Sequence, residues 1–118
     1  MIKEAYCSFE VAKLLKEKGF NTPCSGRYSV RSKEFHLDCT KMCNNGGLFE
    51  CAAPTHQMAM DWLREKHGFH IYTFYEDEFH WHYVIDSLTK KWRYSVSENK
   101  SNDEAIEKAL KYSLENLI

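Results

Sequence analysis

No long hydrophobic run, no excess of either charge and no signature of a known catalytic fold occur in this sequence. Its apolar stretches last only a few residues, far short of the ~20 that span a bilayer. The opening MIKEAYCSFEVAKLL spaces its apolar residues with Lys, Glu and Ser, which leaves no apolar signal core. The expected compartment is therefore the cytoplasm, with no membrane partner. The formal net charge is −1. A duplex-binding domain usually carries a clear basic excess, because phosphate neutralisation supplies much of its affinity. No internal repeat or low-complexity tract is present. Nor is there a nucleophile elbow, a P-loop or a dinucleotide fingerprint.

What is present describes an ordinary globular chain. Its 118 residues are 43% hydrophobic and 28% charged, and a chain of this length forms one domain by default. Aromatics reach 14%, which argues against disorder, because rings supply burial that offsets chain entropy. The five cysteines are expected as reduced thiols in the cytoplasm, and an odd number cannot all pair within one chain.

Periodicity places three helices. The first runs from about Ser8 to Lys18, with Cys7, Val11, Leu14 and Leu15 on one face, Ser8 as N-cap and Gly19 as stop. The second begins near Pro54 or Thr55, carries Met58, Ala59, Trp62 and Leu63 as its apolar stripe, and ends at Gly68. The third follows Ser101, which forms a capping-box pair with Glu104. Its stripe is Ile106, Ala109, Leu110, Leu114 and Leu117. Between the first two helices, Tyr28 and Val30 alternate, then Phe35 and Leu37, which predicts a short hairpin. CTKMCNNGG follows as a loop.

A meander is predicted between the second and third helices. Pairing Tyr75 with Phe79 across Glu76-Asp77-Glu78 sets Thr73 opposite Trp81, Ile71 opposite Tyr83 and Phe69 opposite Ile85. Pairing Asp86 with Lys91 brings Trp92, Tyr94 and Val96 beside Ile85, Tyr83 and Trp81. One face is then almost wholly apolar and awaits the helices, with Trp81 pointing into the core. The other collects His70, Tyr72, Phe74, His80, His82, Val84, Arg93 and Ser95. On it Tyr72 faces His82 and Phe74 faces His80.

Three kinds of chemistry compete with this plain reading. His80 and His82 project to one side with His70 as a diagonal neighbour. Zinc needs four ligands, or three and a water, and no carboxylate is placed beside the pair. His36, Cys39, Cys43 and Cys51 surround the Asn-Asn-Gly-Gly loop, but only one close cysteine pair is present where a zinc finger shows two. No cysteine is brought next to a base by sequence alone. Glu76, Asp77 and Glu78 read as a solvated turn. Nucleic acid would be met by Arg64, Lys66, Lys90, Lys91 and Arg93 near Trp62 and Trp92. After Gly19, however, no second helix follows to enter a groove.

Three stretches taken together carry a family resemblance. SFEVAKLLKEKGF with Pro23-Cys24, CAAPTHQMAMDWLREKHGFHIYTF, and NDEAIEKALKYSLENLI resemble a family of small uncharacterised proteins of anaerobic gut bacteria and their phages and prophages. The resemblance spans nearly the whole chain and is most specific from Ala52-Ala53-Pro54-Thr55 to Trp62-Leu63-Arg64-Glu65. It implies a compact one-domain cytoplasmic protein linked to mobile elements, with no activity, cofactor or catalytic residue to carry over. RSKEFHLDCTKMCNNGG departs from the family's short Tyr-rich hairpin. Cys39, Cys43 and His80-Trp81-His82 lie outside the family's pattern.

The expected fold is one α+β domain over residues 1–118: helix, β-hairpin, helix, three-stranded antiparallel meander and helix, with the helices on one face of the sheet. The expected function is a non-catalytic binding or accessory protein acting through protein contacts, a homodimer among them. Its surface would use His70, Tyr72, His80, His82 and Arg93, with no catalytic residue and no cofactor. The alternatives are a metal protein or small enzyme built on the His and Cys clusters, with His36, Cys39, Cys43 and Cys51 as zinc ligands, and a nucleic-acid-binding accessory protein.

Overall fold

A computed structural model describes residues 5–38, 40–78 and 80–118, with Glu98 described by its backbone alone. The fold is α+β. The chain gathers into two compact units, Met1–Gln57 and Met58–Ile118, each with its own antiparallel three-stranded sheet. Among the described residues no helix is long and apolar enough to cross a membrane.

The first unit opens with α1 (Phe9–Glu17). The Ser8 hydroxyl accepts from the Val11 amide, as the cap requires, and Val11, Ala12 and Leu15 are buried. Gly19 follows the helix at φ +93°, a conformation that glycine adopts without a Cβ clash. The predicted hairpin is β1 (Gly26–Ser29) with β2 (Phe35–Leu37). Its turn is closed by the Lys33 amide donating to Ser29, with Lys33 at φ 61°. A third strand, β3 (Glu50–Ala53), joins the other edge of β1, so the sheet order is β2-β1-β3. This strand corrects the expectation of a bare hairpin. Glu-Cys-Ala-Ala has weak strand propensity, and tertiary pairing with Gly26–Ser29 decides its conformation. A Cβ on Gly26 would meet the Ala53 oxygen at 2.8 Å and the Phe35 ring at 2.9 Å, so the close approach of the three strands needs glycine there.

The second unit contains nearly all of α2 (His56–His67), then β4 (Phe69–Asp77), β5 (His80–Ser87), β6 (Arg93–Asn99) and α3 (Asn102–Asn116). Ala59, Trp62 and Leu63 of the predicted α2 stripe are buried. Ser101 caps α3 by accepting from the Glu104 amide, and the Glu104 carboxylate accepts from the Lys100 amide. Ala105, Ile106, Ala109, Leu110 and Leu114 are buried, and α3 packs on all three strands. The Tyr94 and Tyr112 rings stack at 4.3 Å between sheet and helix. The expectation that all helices share one sheet is therefore corrected. The α1 helix packs on β3 of the first sheet, and α3 on the meander.

The meander's strands and faces are as predicted, but its register is not. Ile71 pairs with Ile85, Thr73 with Tyr83, Phe74 with His82 and Tyr72 with Val84. Asp77 pairs with His80, so the turn is tighter than assumed and a bulge between Tyr75 and Asp77 absorbs the extra residue. Tyr75, expected opposite Phe79, pairs instead with Trp81; Phe79 lies outside the described residues. In the next hairpin Asp86 pairs with Arg93 rather than Lys91. There Lys91 turns at φ 57°, and the Ser87 amide donates to the Trp92 carbonyl. A second bulge sets Trp81 opposite Asn99. The buried Asn99 amide group pins it by donating to the Trp81 carbonyl at 2.9 Å. Between the bulges both slips are of two residues, so each side chain there keeps its face and changes only its partner; beyond them the extra residue shifts the parity and brings Asn99 to Trp81's face. Exposures also differ from expectation, and Tyr75 on the apolar face is 57% exposed. Val84, placed on the wet face, is buried, and Trp81 is only half-buried, its ring against Tyr75 at 5.3 Å.

Trp62 is 9% exposed on the inner stripe of α2. Trp62→Ala is expected to lose ~3–5 kcal/mol, the range for deleting a large buried aromatic. Denaturant midpoints measure it, and a loss under ~1 kcal/mol, typical of surface sites, would contradict the packing described.

Candidate functional site

The outer face of the meander collects the residues that sequence reasoning chose for binding. The Phe74 and His82 rings stack at 4.4 Å and 4°, while His70 and Tyr72 sit 5.7 Å apart, centroid to centroid. Arg93 is held by Asp86, with Nε 2.7 Å from Oδ1. The histidines are not bare. His80 Nδ1 lies 2.6 Å from Asp77 Oδ1, and His82 Nε2 lies 2.7 Å from Glu76 Oε2. The expectation of a solvated acidic turn, with no carboxylate beside the pair, is corrected here. The bulge after Tyr75 and the shifted register bring it alongside. His70, Tyr72, His80, His82 and Arg93 thus share one sheet face, and the charged groups on it are largely satisfied by one another.

The residues proposed for zinc or nucleic acid are dispersed. His36 is exposed on β2, with Nε2 3.9 Å from Glu34. Cys51 is buried in β3 and Cys43 is half-buried in the loop; Cys39 lies outside the described residues. Among the described residues, His36, Cys43 and Cys51 do not converge to ligand distance. Of the candidate cations, Arg64 pairs with Asp61 at 3.1 Å and Arg93 with Asp86, which leaves less charge for phosphate. Lys90 and Trp92 border a hollow of about 700 Å³ with Phe69 and the last two residues of the chain.

The feature that stands out physically lies in the first unit. Among its described residues, the segment between β2 and β3 forms no helix or strand beyond the single bridge of Cys43 to Cys24, yet it is anchored at several points. Asp38 Oδ1 accepts from the Thr40 amide at 2.9 Å and its hydroxyl at 2.6 Å. Arg27 reaches Asp38 at 3.3 Å, Glu50 at 3.2 Å and the Lys41 carbonyl at 3.4 Å. Asn45, at φ 66°, donates to the Phe20 carbonyl and accepts from the Ala52 amide at 2.6 Å. The Lys16 ammonium donates to Gly47 and Glu50 carbonyls at 2.6 and 2.8 Å. From this anchored loop two large apolar side chains project into solvent, Leu48 at 84% and Phe49 at 72% exposure. Met42, Val30 and Leu37 are also exposed. Leu48 borders an apolar hollow of about 410 Å³ with Phe9, Val30 and Cys51. Phe49 borders a polar one of about 540 Å³ with Arg27, His36 and Asp38.

Sequence reasoning missed this ridge because Leu48-Phe49 is too short to show a period, and its anchors are distant in sequence. It also missed a second juxtaposition. The Cys7 amide donates to Pro54 and the His56 amide to Ala5, which brings the Cys7 sulfur and a His56 ring nitrogen within 4.8 Å. Both are buried, at 0% and 5% exposure. No family model, curated protein or solved structure matches the chain.

The Asp38 carboxyl is held below its ordinary value, first by the Thr40 hydroxyl, then by the Thr40 amide, with Arg27 adding to the effect. A depressed carboxyl contributes stability that is present above its unfolded value and lost as pH falls through its folded value. The loop's start is therefore expected to hold through mild acid and to loosen only below the ordinary Asp value of about 3.9. The Thr40 amide resonance reports this in a pH titration; a midpoint at or above that value would contradict the bonding described.

Proposed function

We propose that the protein is a non-catalytic protein-contact module, and that the Leu48–Phe49 ridge is where a partner docks. The observation that carries this reading is the pairing of order with exposure. Two adjacent large apolar side chains at 84% and 72% exposure stand on a loop held by Lys16, Arg27 and Asn45. Apolar surface left in water is unfavourable by ~25 cal/mol per Å², and clustered exposure of this kind marks interaction sites on soluble proteins. Anchoring the loop before contact lowers the entropy lost on binding. The resemblance to small phage and prophage proteins fits an accessory role of this kind. The His70, Tyr72, His80, His82 and Arg93 face supplies a second, more polar surface on the same chain, and a homodimer is one form the contact takes.

The rival reading is a metal protein or small enzyme, and the nearness of the Cys7 sulfur to the His56 ring favours it. Elemental analysis of untagged protein separates the two, since stoichiometric zinc would support the rival.

Leu48→Ser with Phe49→Ser is expected to keep the fold, because changes at exposed positions usually stay within ~0.5 kcal/mol each. It is expected to abolish recovery of the partner that the wild-type chain retains in stoichiometric amount from the cells that encode it. Equal recovery by both chains, or loss only on substituting His70 and Tyr72, would move the contact off the ridge.

A further inference from the structure

The strand-like contact between Cys24 and Cys43 is the least explained feature of the first unit. Outside the named strands, these two residues form an isolated antiparallel bridge. The Cys24 amide donates to the Cys43 carbonyl at 2.8 Å, and the Cys43 amide returns to the Cys24 carbonyl at 2.9 Å. Such a doubly bonded pair sets its Cα atoms about 5.5 Å apart, inside the roughly 4.4–6.8 Å window of disulfides. Directly opposed residues also send their side chains to the same face. Both thiols are free in this structure.

We propose that Cys24 and Cys43 form a thiol–disulfide site that exchanges with small-molecule disulfides. The roles follow from burial. Cys24 is 2% exposed and its thiol donates to the Thr22 carbonyl at 3.2 Å. Burial first, and then Cys43, push the Cys24 thiol up to about 11. Cys43 is only half-buried, so its thiolate is the one that meets reagent. In the first step the Cys43 thiolate attacks one sulfur of the reagent disulfide. A mixed disulfide forms on Cys43 and one reagent thiolate leaves. In the second step Cys24 gives its proton to solvent and attacks the Cys43 sulfur, and the second reagent thiolate leaves. Two protein thiols are oxidised to one disulfide, and one reagent disulfide is reduced to two thiols.

Cys51 is the competitor. It too feels the Cys43 thiol and is itself pushed up to about 11, chiefly by burial. Its backbone, however, is paired with Tyr28 in the sheet and not with Cys43. The register that presents Cys24 to Cys43 therefore selects Cys24. The site is independent of the protein-contact reading, since it concerns the loop's covalent state and not what docks on it.

The test exposes the folded full-length chain to oxidised glutathione, traps free thiols and maps peptides by mass spectrometry. The expected product has lost two hydrogen masses and yields one linked pair holding Cys24 and Cys43. Cys51→Ser is expected to leave that product unchanged. Cys43→Ser is expected to abolish it while circular dichroism shows the fold retained. Four results would overturn the site: a link through Cys51, a link through Cys39, a glutathione adduct that stops on Cys43, or no loss of thiols. Dithiothreitol should return the chain to its starting mass; a product that resists it is not a disulfide and also overturns the site.

Discussion

One ammonium group organises the surface of the first unit. Lys16 leaves the end of α1 and donates to two backbone carbonyls of the segment that leads into β3. A hydrogen bond from a charged group is worth ~1.5–3 kcal/mol, which offsets the ordering of about one or two residues, so the segment needs its several anchors together. Asn45 adds the complementary half by accepting from the Ala52 amide on the outer edge of β3. An edge strand whose amide is already satisfied is less open to pairing with a stray chain. The same clamp that protects the edge therefore sets Leu48 and Phe49 outward.

Arg27 does related work from the middle strand. Its guanidinium faces Asp38 before the loop and Glu50 after it, so one side chain fixes both ends of the segment. The Arg27 side chain is only 14% exposed, but its partners are open to solvent at 39% and 45%, so these pairs position the loop more than they stabilise it. Tyr28, next to Arg27, faces the opposite side of the sheet and donates to the Cys7 carbonyl at 2.7 Å. Alternation along β1 thus ties the loop on one face and the N-terminal segment on the other.

Much of this was legible in the sequence, and the exceptions have physical causes. Ser8, Ser101 and Glu104 announced two helix starts because capping is a local interaction. The meander's faces were legible because period-2 alternation survives an even slip. The register was not, because it depends on the bulge after Tyr75, on Asn99 bonding the Trp81 carbonyl and on the turn at Lys91, which no hydrophobic pattern encodes. Strand β3 was hidden because Cys51, Ala52 and Ala53 are small and weakly β-forming, and their pairing with β1 is long-range. The candidate surface was hidden for the same reason. Leu48 and Phe49 look like any apolar pair until Lys16, Arg27 and Asn45 are seen to hold the loop beneath them. The carboxylates beside His80 and His82 were missed because both the register and the bulge after Tyr75 bring them there.

Whether the ridge is ordered while exposed is read from backbone ¹⁵N relaxation at Leu48 and Phe49. Order parameters of ~0.85, the value of rigid backbone, matching those of β1, are expected. Values below ~0.6, the flexible range, would mean that the clamp does not hold in solution. The apolar pair would then be a mobile loop and not a surface prepared for a partner.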